Sequence, residues 1–202
     1  IEPHHFAGFS GTAKSVAIGL AGRETITANH QLLLNPFSIA CEFENNPLRQ
    51  DIEEIAQASG LDFCLNVIMN PKKEIVSILW ESPRIVIRAA IPVVKEIYAV
   101  KVDFEKKFDL TITSAGGFPK DINLYQAQKA LTNASKITRD GGRILLIANC
   151  EEGSGSKSYE SYMQNMQHPQ TVINDFATRP LEIGPHKALQ FSLIPKRGKV
   201  GL

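Results

Sequence analysis

Apolar and polar positions along this chain switch between a helical and a strand-like period, and the switches fall at proline, glycine and asparagine. Residues 14–21 suit a short helix stopped by Gly22, and 23–34 a second helix that carries His30 and closes at Asn35-Pro36. Asn46-Pro47 joins a capping side chain to proline at the first helical position, so a helix from Leu48 to Ser59 is expected. Residues 61–69 are rich in strand formers, Asn70-Pro71-Lys72-Lys73 turns the chain, and 74–80 reads as the returning strand. Ser82-Pro83 opens a long helix to about Tyr98, with a kink expected at Pro92. His4 and His5 follow Pro3 in an extended stretch and are expected to point in opposite directions.

A second pattern starts near Lys101. Residues 108–113 form a compact apolar strand, followed by Ser114-Ala115-Gly116-Gly117 and a helix over 123–137. Asp140-Gly141-Gly142 predicts a turn, and 143–148 a second buried strand. Strand, glycine loop, helix and strand make a βαβ unit, which favours a parallel sheet with ligands at the strands' carboxyl ends. Residues 151–158 read as a Gly/Ser loop before two short helical stretches. Gly184-Pro185-His186-Lys187 is the last turn before an apolar segment that suits helix or strand. The fold class expected is α/β in two domains: residues 1–100, truncated, and 101–202, Rossmann-like with a parallel sheet.

Composition changes this picture only by exclusion. A formal net charge of +1 over 202 residues, without a long basic run, argues against nucleic acid or a membrane surface as partner. Cys41, Cys64 and Cys150 have no metal-site spacing and read as reduced thiols of a cytoplasmic protein. No apolar run approaches the roughly 20 residues that span a bilayer.

Candidate chemistry gathers in three places. In Gly8-Phe9-Ser10-Gly11-Thr12-Ala13-Lys14, glycines let backbone amides approach an anion, and a helix start follows. It lacks the Gly-Lys-[ST] of a Walker loop, and Lys14 reads as a solvated cation, a phosphate clamp or a nucleophilic amine. His30 on its helix, and His4 or His5, are imidazoles suited to ligation or to general-base work near neutral pH. Gln126 and Lys129 stand three apart on a helix beside Tyr125, a set able to hold a carboxylate.

Several long motifs in register then point one way. His4-His5-Phe6-Ala7-Gly8-Phe9-Ser10-Gly11 with Lys14 and Asn29-His30, the run from Ser114 to Lys129, and Gly184-Pro185-His186-Lys187-Ala188 closely resemble the nickel-dependent lactate racemase family. That resemblance implies a nickel-pincer nucleotide cofactor, a pyridinium-3,5-bisthiocarboxylic acid mononucleotide that carries nickel. It implies Lys14 as the tethering amine, His30 as the ligand that completes nickel coordination, and Gly8, Ser10 and Gly11 as holders of the nucleotide phosphate. It further implies reversible hydride transfer that interconverts stereoisomers of a 2-hydroxy acid.

His4 matches a catalytic histidine by lying ten residues before the tether, while His5 falls where an aromatic residue commonly follows; the choice between them stays open. Tyr125, Gln126 and Lys129 match the substrate-side residues, with Lys129 also counted as catalytic beside His4. Leu189 stands where the lactate enzymes typically carry tryptophan, so a 2-hydroxy acid other than lactate is plausible. The family's N-terminal part, with another catalytic histidine and a substrate arginine, has no counterpart in these residues, so the chain alone is expected to be inactive. Expected partners are the small 2-hydroxy acid and the enzymes that build and insert the cofactor. The alternative is a non-catalytic carrier that binds the nickel-pincer nucleotide.

Overall fold

A computed structural model describes all residues except 101, 104, 105, 167, 180, 195–197 and 202, with backbone alone for 198–201. The chain divides into two compact units, Ile1–Lys101 and Val102–Leu202.

The first unit opens on a two-residue hairpin, β1 (Pro3–His4) against β2 (Gly8–Phe9), in the register Pro3↔Phe9 and His4↔Gly8. His5 lies in the turn, so the two histidines do not splay as an extended strand would make them. Their rings meet instead, with centroids 4.5 Å apart. The turn is closed by His4 itself, whose Nδ1 accepts from Ala7 N at 3.1 Å and Phe6 N at 3.4 Å. Helix α1 covers only Lys14–Ala17, half of the helix the pattern suggested, and α2 spans Arg23–Gln31 before a 3-10 turn at Leu32–Leu34.

Helix α3 (Pro47–Ala58) starts where Asn46 Oδ1 accepts from Arg49 N, and it buries Leu48, Ile52 and Ala56 against Ala7, Ala13 and Ala17. Strands β3 (Cys64–Met69) and β4 (Ile75–Glu81) pair antiparallel. Asn70 shapes their turn, its Oδ1 accepting from Lys72 N and Glu74 N. Helix α4 (Pro83–Tyr98) buries Ile87, Ala90 and Val94 against Phe9, Phe43 and Ile68. It runs unbroken across Pro92, because that residue sits on the exposed side, where the carbonyl it frees meets water.

In the second unit β5 (Phe108–Ser114), α5 (Leu124–Ile137) and β6 (Thr138–Ile147) form the βαβ unit, with β5 and β6 parallel. Asp140-Gly141-Gly142 is not the turn expected between helix and strand. Thr138 already pairs with Phe108, and the next pair is Leu110↔Arg143, so the glycines form an irregularity inside β6, with Gly141 at φ +75°. Helices α6 (Lys157–Met163), α7 (Pro169–Phe176) and α8 (His186–Leu193) follow, then β7 (Gly198–Gly201), parallel to β6. Gly184-Pro185 thus leads into a helix that contains His186 and Lys187.

The sheet order is β5-β6-β7. Helix α5 covers one face by burying Ala127, Leu131 and Ala134 against Ile144 and Leu146. A neighbouring core joins Val172 and Phe176 of α7 to Ala188 and Leu189 of α8. No helix among the described residues is long and apolar enough to cross a membrane.

Candidate functional site

In the first unit, the segment from Phe6 to Lys14 is clamped from outside. Asn46 Nδ2 donates to Phe6 O at 2.7 Å, and Asn66 Oδ1 accepts from Thr12 N at 3.1 Å. Arg49, fully buried, donates to Phe9 O at 2.9 Å and to Thr12 Oγ1 at 2.8 Å. Its charge is matched by Glu53 one turn along α3, at 2.5 Å. Burial holds the Arg49 guanidinium below its usual pKa, and Glu53 opposes that shift.

Gly8, at φ +71°, has no room for a side chain: a Cβ there would lie 1.9 Å from Glu42 O. Gly11, at φ +76°, would set a Cβ 2.6 Å from Asn66 Oδ1. Both glycines therefore serve close backbone packing.

The amides expected to wrap an anion are largely engaged within the loop. Ser10 N donates to Glu2 O, Lys14 N to Gly11 O, Ser15 N to Thr12 O and Val16 N to Ala13 O. Four-residue α1 adds little dipole of its own. Ser10 Oγ accepts from Glu2 N, which leaves its hydroxyl proton to donate. Lys14 opens α1, half-buried, and His30 is half-buried near the end of α2. The neighbouring Asn29 ties α2 to α3, its Nδ2 donating to Leu48 O at 3.0 Å and Asp51 Oδ2 at 2.8 Å. Loop and helix, and with them Lys14 and His30, are thus fastened to one element, α3.

The donor set can be tested against a metal. Among the described residues no three His, Cys, Asp or Glu side chains gather to hold one. The His30 imidazole on α2 would suit a group that brought the rest of a metal's ligands with it.

In the second unit, Tyr125 and Gln126 line a pocket of about 350 Å³ together with Asn123, Ser156, Ser158 and Gly184. Asn123 caps α5 through Gln126 N at 3.1 Å, while Leu124 N and Tyr125 N donate to Gly153 O and Ser154 O. The Gly/Ser loop is thereby seated under the helix start. Gly184, at φ +102°, closes the wall so tightly that a Cβ would meet Ser158 Oγ at 2.1 Å. Lys129 Nζ donates to Gln126 Oε1 at 2.7 Å, so the predicted face of amide and ammonium is formed. Burial pushes the Tyr125 phenol above its usual range, keeping it a neutral donor. Leu189 lies in the core with Val172, Phe176 and Ala188.

The sequence reading gave no role to Arg49, His186 or Lys187. His186 is buried edge-on to Tyr125, ring centroids 5.9 Å apart, with its Nδ1 accepting from Gly184 N. Lys187 is buried too, its Nζ 4.4 Å above the Tyr125 ring. A lysine leading straight into the apolar run Ala188-Leu189 was the available signal.

The fold and this pocket define an α/β protein with a small polar pocket flanked by the amine of Lys129. Two family models match the chain in succession: the lactate racemase N-terminal domain over residues 1–40 and the lactate racemase C-terminal domain over 104–187. The chain is 35% identical over 181 residues to the lactate racemase of Thermoanaerobacterium thermosaccharolyticum, covering 89% of this chain and 42% of that protein. It is 30% identical over 183 residues to the lactate racemase of Lactiplantibacillus plantarum, with the same coverage of 89% and 42%. The lactate racemase apoprotein structure from T. thermosaccharolyticum superposes with TM-score 0.92 at 33% identity, over 99% of this chain and 48% of that one. A Thermotoga maritima protein shares the fold, with TM-score 0.66 at 16% identity.

The chain belongs to the lactate racemase family. It spans about 42% of the length of those curated relatives.

Proposed function

We propose that the complete protein interconverts the stereoisomers of a short 2-hydroxy acid with a nickel-pincer nucleotide tethered to Lys14. The observation that carries this reading is the second unit's pocket. Tyr125 and Gln126 offer a neutral phenol and a carboxamide there, and Lys129, bonded to Gln126, brings a positive charge to its edge. A substrate carboxylate is held by that charge and by Gln126, with the Tyr125 hydroxyl fixing its orientation.

In the first unit, Lys14 supplies the tethering amine and His30 the single imidazole for the metal. The Ser10 hydroxyl is the donor left for the nucleotide phosphate, with Gly8 and Gly11 shaping the loop. When bound, the nucleotide supplies a reversible hydride acceptor. His4 takes the proton from the substrate's hydroxyl at Nε2. For that, the Nε2 lone pair must be open, which requires Nδ1 to carry the ring proton and the Ala7 contact to loosen when substrate is bound.

The 202 residues assayed alone are expected to give no racemisation, since proton handling is needed on both faces of the substrate and catalytic partners fail as a unit. The enzymes that build and insert the cofactor are the protein partners, and the three cysteines suit a reducing cytoplasm.

The test is intact mass and nickel analysis on the complete protein, coexpressed with cofactor-building enzymes, beside Lys14→Ala. A lysine-dependent adduct with about one nickel per chain is expected. An unmodified mass under loading conditions overturns the reading.

A further inference from the structure

The buried amine of Lys187 has no part in the reaction just described. It sits in the first turn of α8, 3% exposed, and donates to Gln128 Oε1 at 3.2 Å and Gln190 Oε1 at 3.1 Å. Its remaining neighbour is the face of Tyr125. None of these partners carries a charge, so a protonated Lys187 is a buried cation without a counter-ion among the described residues.

Burial first, and then the positive charge of Lys129, bring its pKa down to about 7. Other titratable groups on α8 and the helices packed against it are His186, Tyr125, Lys136, Lys157, Tyr159, Glu160, Tyr162 and Asp175. Glu160 is bonded to Ser154, and Asp175 to Tyr162 and Arg179, so neither carboxylate serves Lys187.

We propose that Lys187 is a ligand-linked proton site: a carboxylate that pairs with Lys129 at the pocket drives Lys187 to take a proton from solvent. This rests on the reading that a carboxylate binds there. The anion cancels the repulsion that Lys129 exerts and adds its own attraction through a low-dielectric interior. Above about pH 7 a second positive charge then stands behind Tyr125 only when the site is filled.

The sign follows. Below about pH 7 the amine of the empty site is already protonated and affinity is level with pH. As pH rises above that value each binding event must take up a proton, and Kd rises by at most about tenfold per pH unit.

The test uses glycolate, the smallest 2-hydroxy carboxylate, titrated calorimetrically into the complete protein at pH 8 in two buffers of different ionisation enthalpy. Wild type is expected to take up about half a proton or more per glycolate. Lys187→Met, or Lys187→Gln as a second variant, is expected to bind glycolate with almost none, and with a Kd flat between pH 7 and 8.5. A merely structural role for Lys187 would not change the proton count. Binding to wild type without proton uptake, or equal uptake in the variants, overturns the proposal; if Lys129→Met then still weakens binding at least tenfold, the carboxylate site stands. Glycolate that fails to bind, or binds Lys129→Met as tightly as wild type, overturns the site reading and this proposal with it.

Discussion

His4 has a structural role and a proposed catalytic one on the same ring. Its Nδ1 accepts the Ala7 and Phe6 amides and so builds the turn that brings His5 against it. Asparagine can fill the structural half, because its short side-chain oxygen also accepts from amides two or three residues on. His4→Asn is therefore expected to melt close to wild type, whereas His4→Ala loses about 1 kcal/mol with the turn's acceptor. Racemisation by the complete, loaded protein should fall about 10²–10⁴-fold in both, as expected when a general base is removed. Thermal melts and a chiral assay separate the two losses. An asparagine variant that melts as low as the alanine one would sink the structural half.

This geometry was hidden in the sequence. Pro3-His4-His5 reads as extended chain, and nothing in residue types announces an imidazole that accepts its own turn's amides. The shared face of Gln126 and Lys129 was legible because helix spacing alone puts the amide and the ammonium together. Lys187 was not, because lysine is ordinarily exposed and only the apolar run after it hinted at burial.

Helix α3 is the element on which the first unit's candidate site is built. Its capping residue Asn46 holds Phe6, its Arg49 holds Phe9 and Thr12, and its Leu48 carbonyl and Asp51 receive Asn29 beside His30. Arg49→Ala removes a buried cation and leaves Glu53, the Phe9 carbonyl and the Thr12 hydroxyl short of partners. The expected cost is about 3–5 kcal/mol in urea denaturation, as for other broken buried pairs. A change below about 1 kcal/mol would mean that the loop repacks without its strut.

The helix itself was readable from Asn46-Pro47, as α4 was from Ser82-Pro83, because caps and proline act locally. Arg49's burial was not, since it depends on a loop forty residues earlier in the chain. Asp140-Gly141-Gly142 failed for a related reason. Glycines at positive φ serve a turn or a strand irregularity equally, and the pairing of Thr138 with Phe108 decides between them.

At the scale of the whole molecule, the β3–β4 pair and the β5-β6-β7 sheet each leave an apolar face open. In β5 the alternation runs against ordinary amphipathic logic: Leu110 and Ile112 are 54% and 62% exposed, while Thr111 and Thr113 share the face on which Ile144 and Leu146 pack against α5. Parallel sheets in α/β folds are covered on both faces, so this outer face carries the residues of a covered one. In the β3–β4 pair, Leu65 and Trp80 are direct cross-strand partners, each 64% exposed, with Ile78 beside them. Covering one such side chain is worth about 1.5–3 kcal/mol, enough for several together to drive association.

The 202 residues in isolation are therefore expected to bind a hydrophobic dye strongly and to self-associate with rising concentration in light-scattering chromatography. Lys at Ile112 or at Trp80 (Ile112→Lys, Trp80→Lys) should weaken both signals without lowering the melting temperature, since neither side chain lies in a core. A monodisperse monomer at about 100 μM with no dye binding would overturn this, because exposed apolar area on that scale does not stay unpartnered in water. If association is seen and each single lysine removes only part of it, the two sheet faces act independently, as two separate units predict.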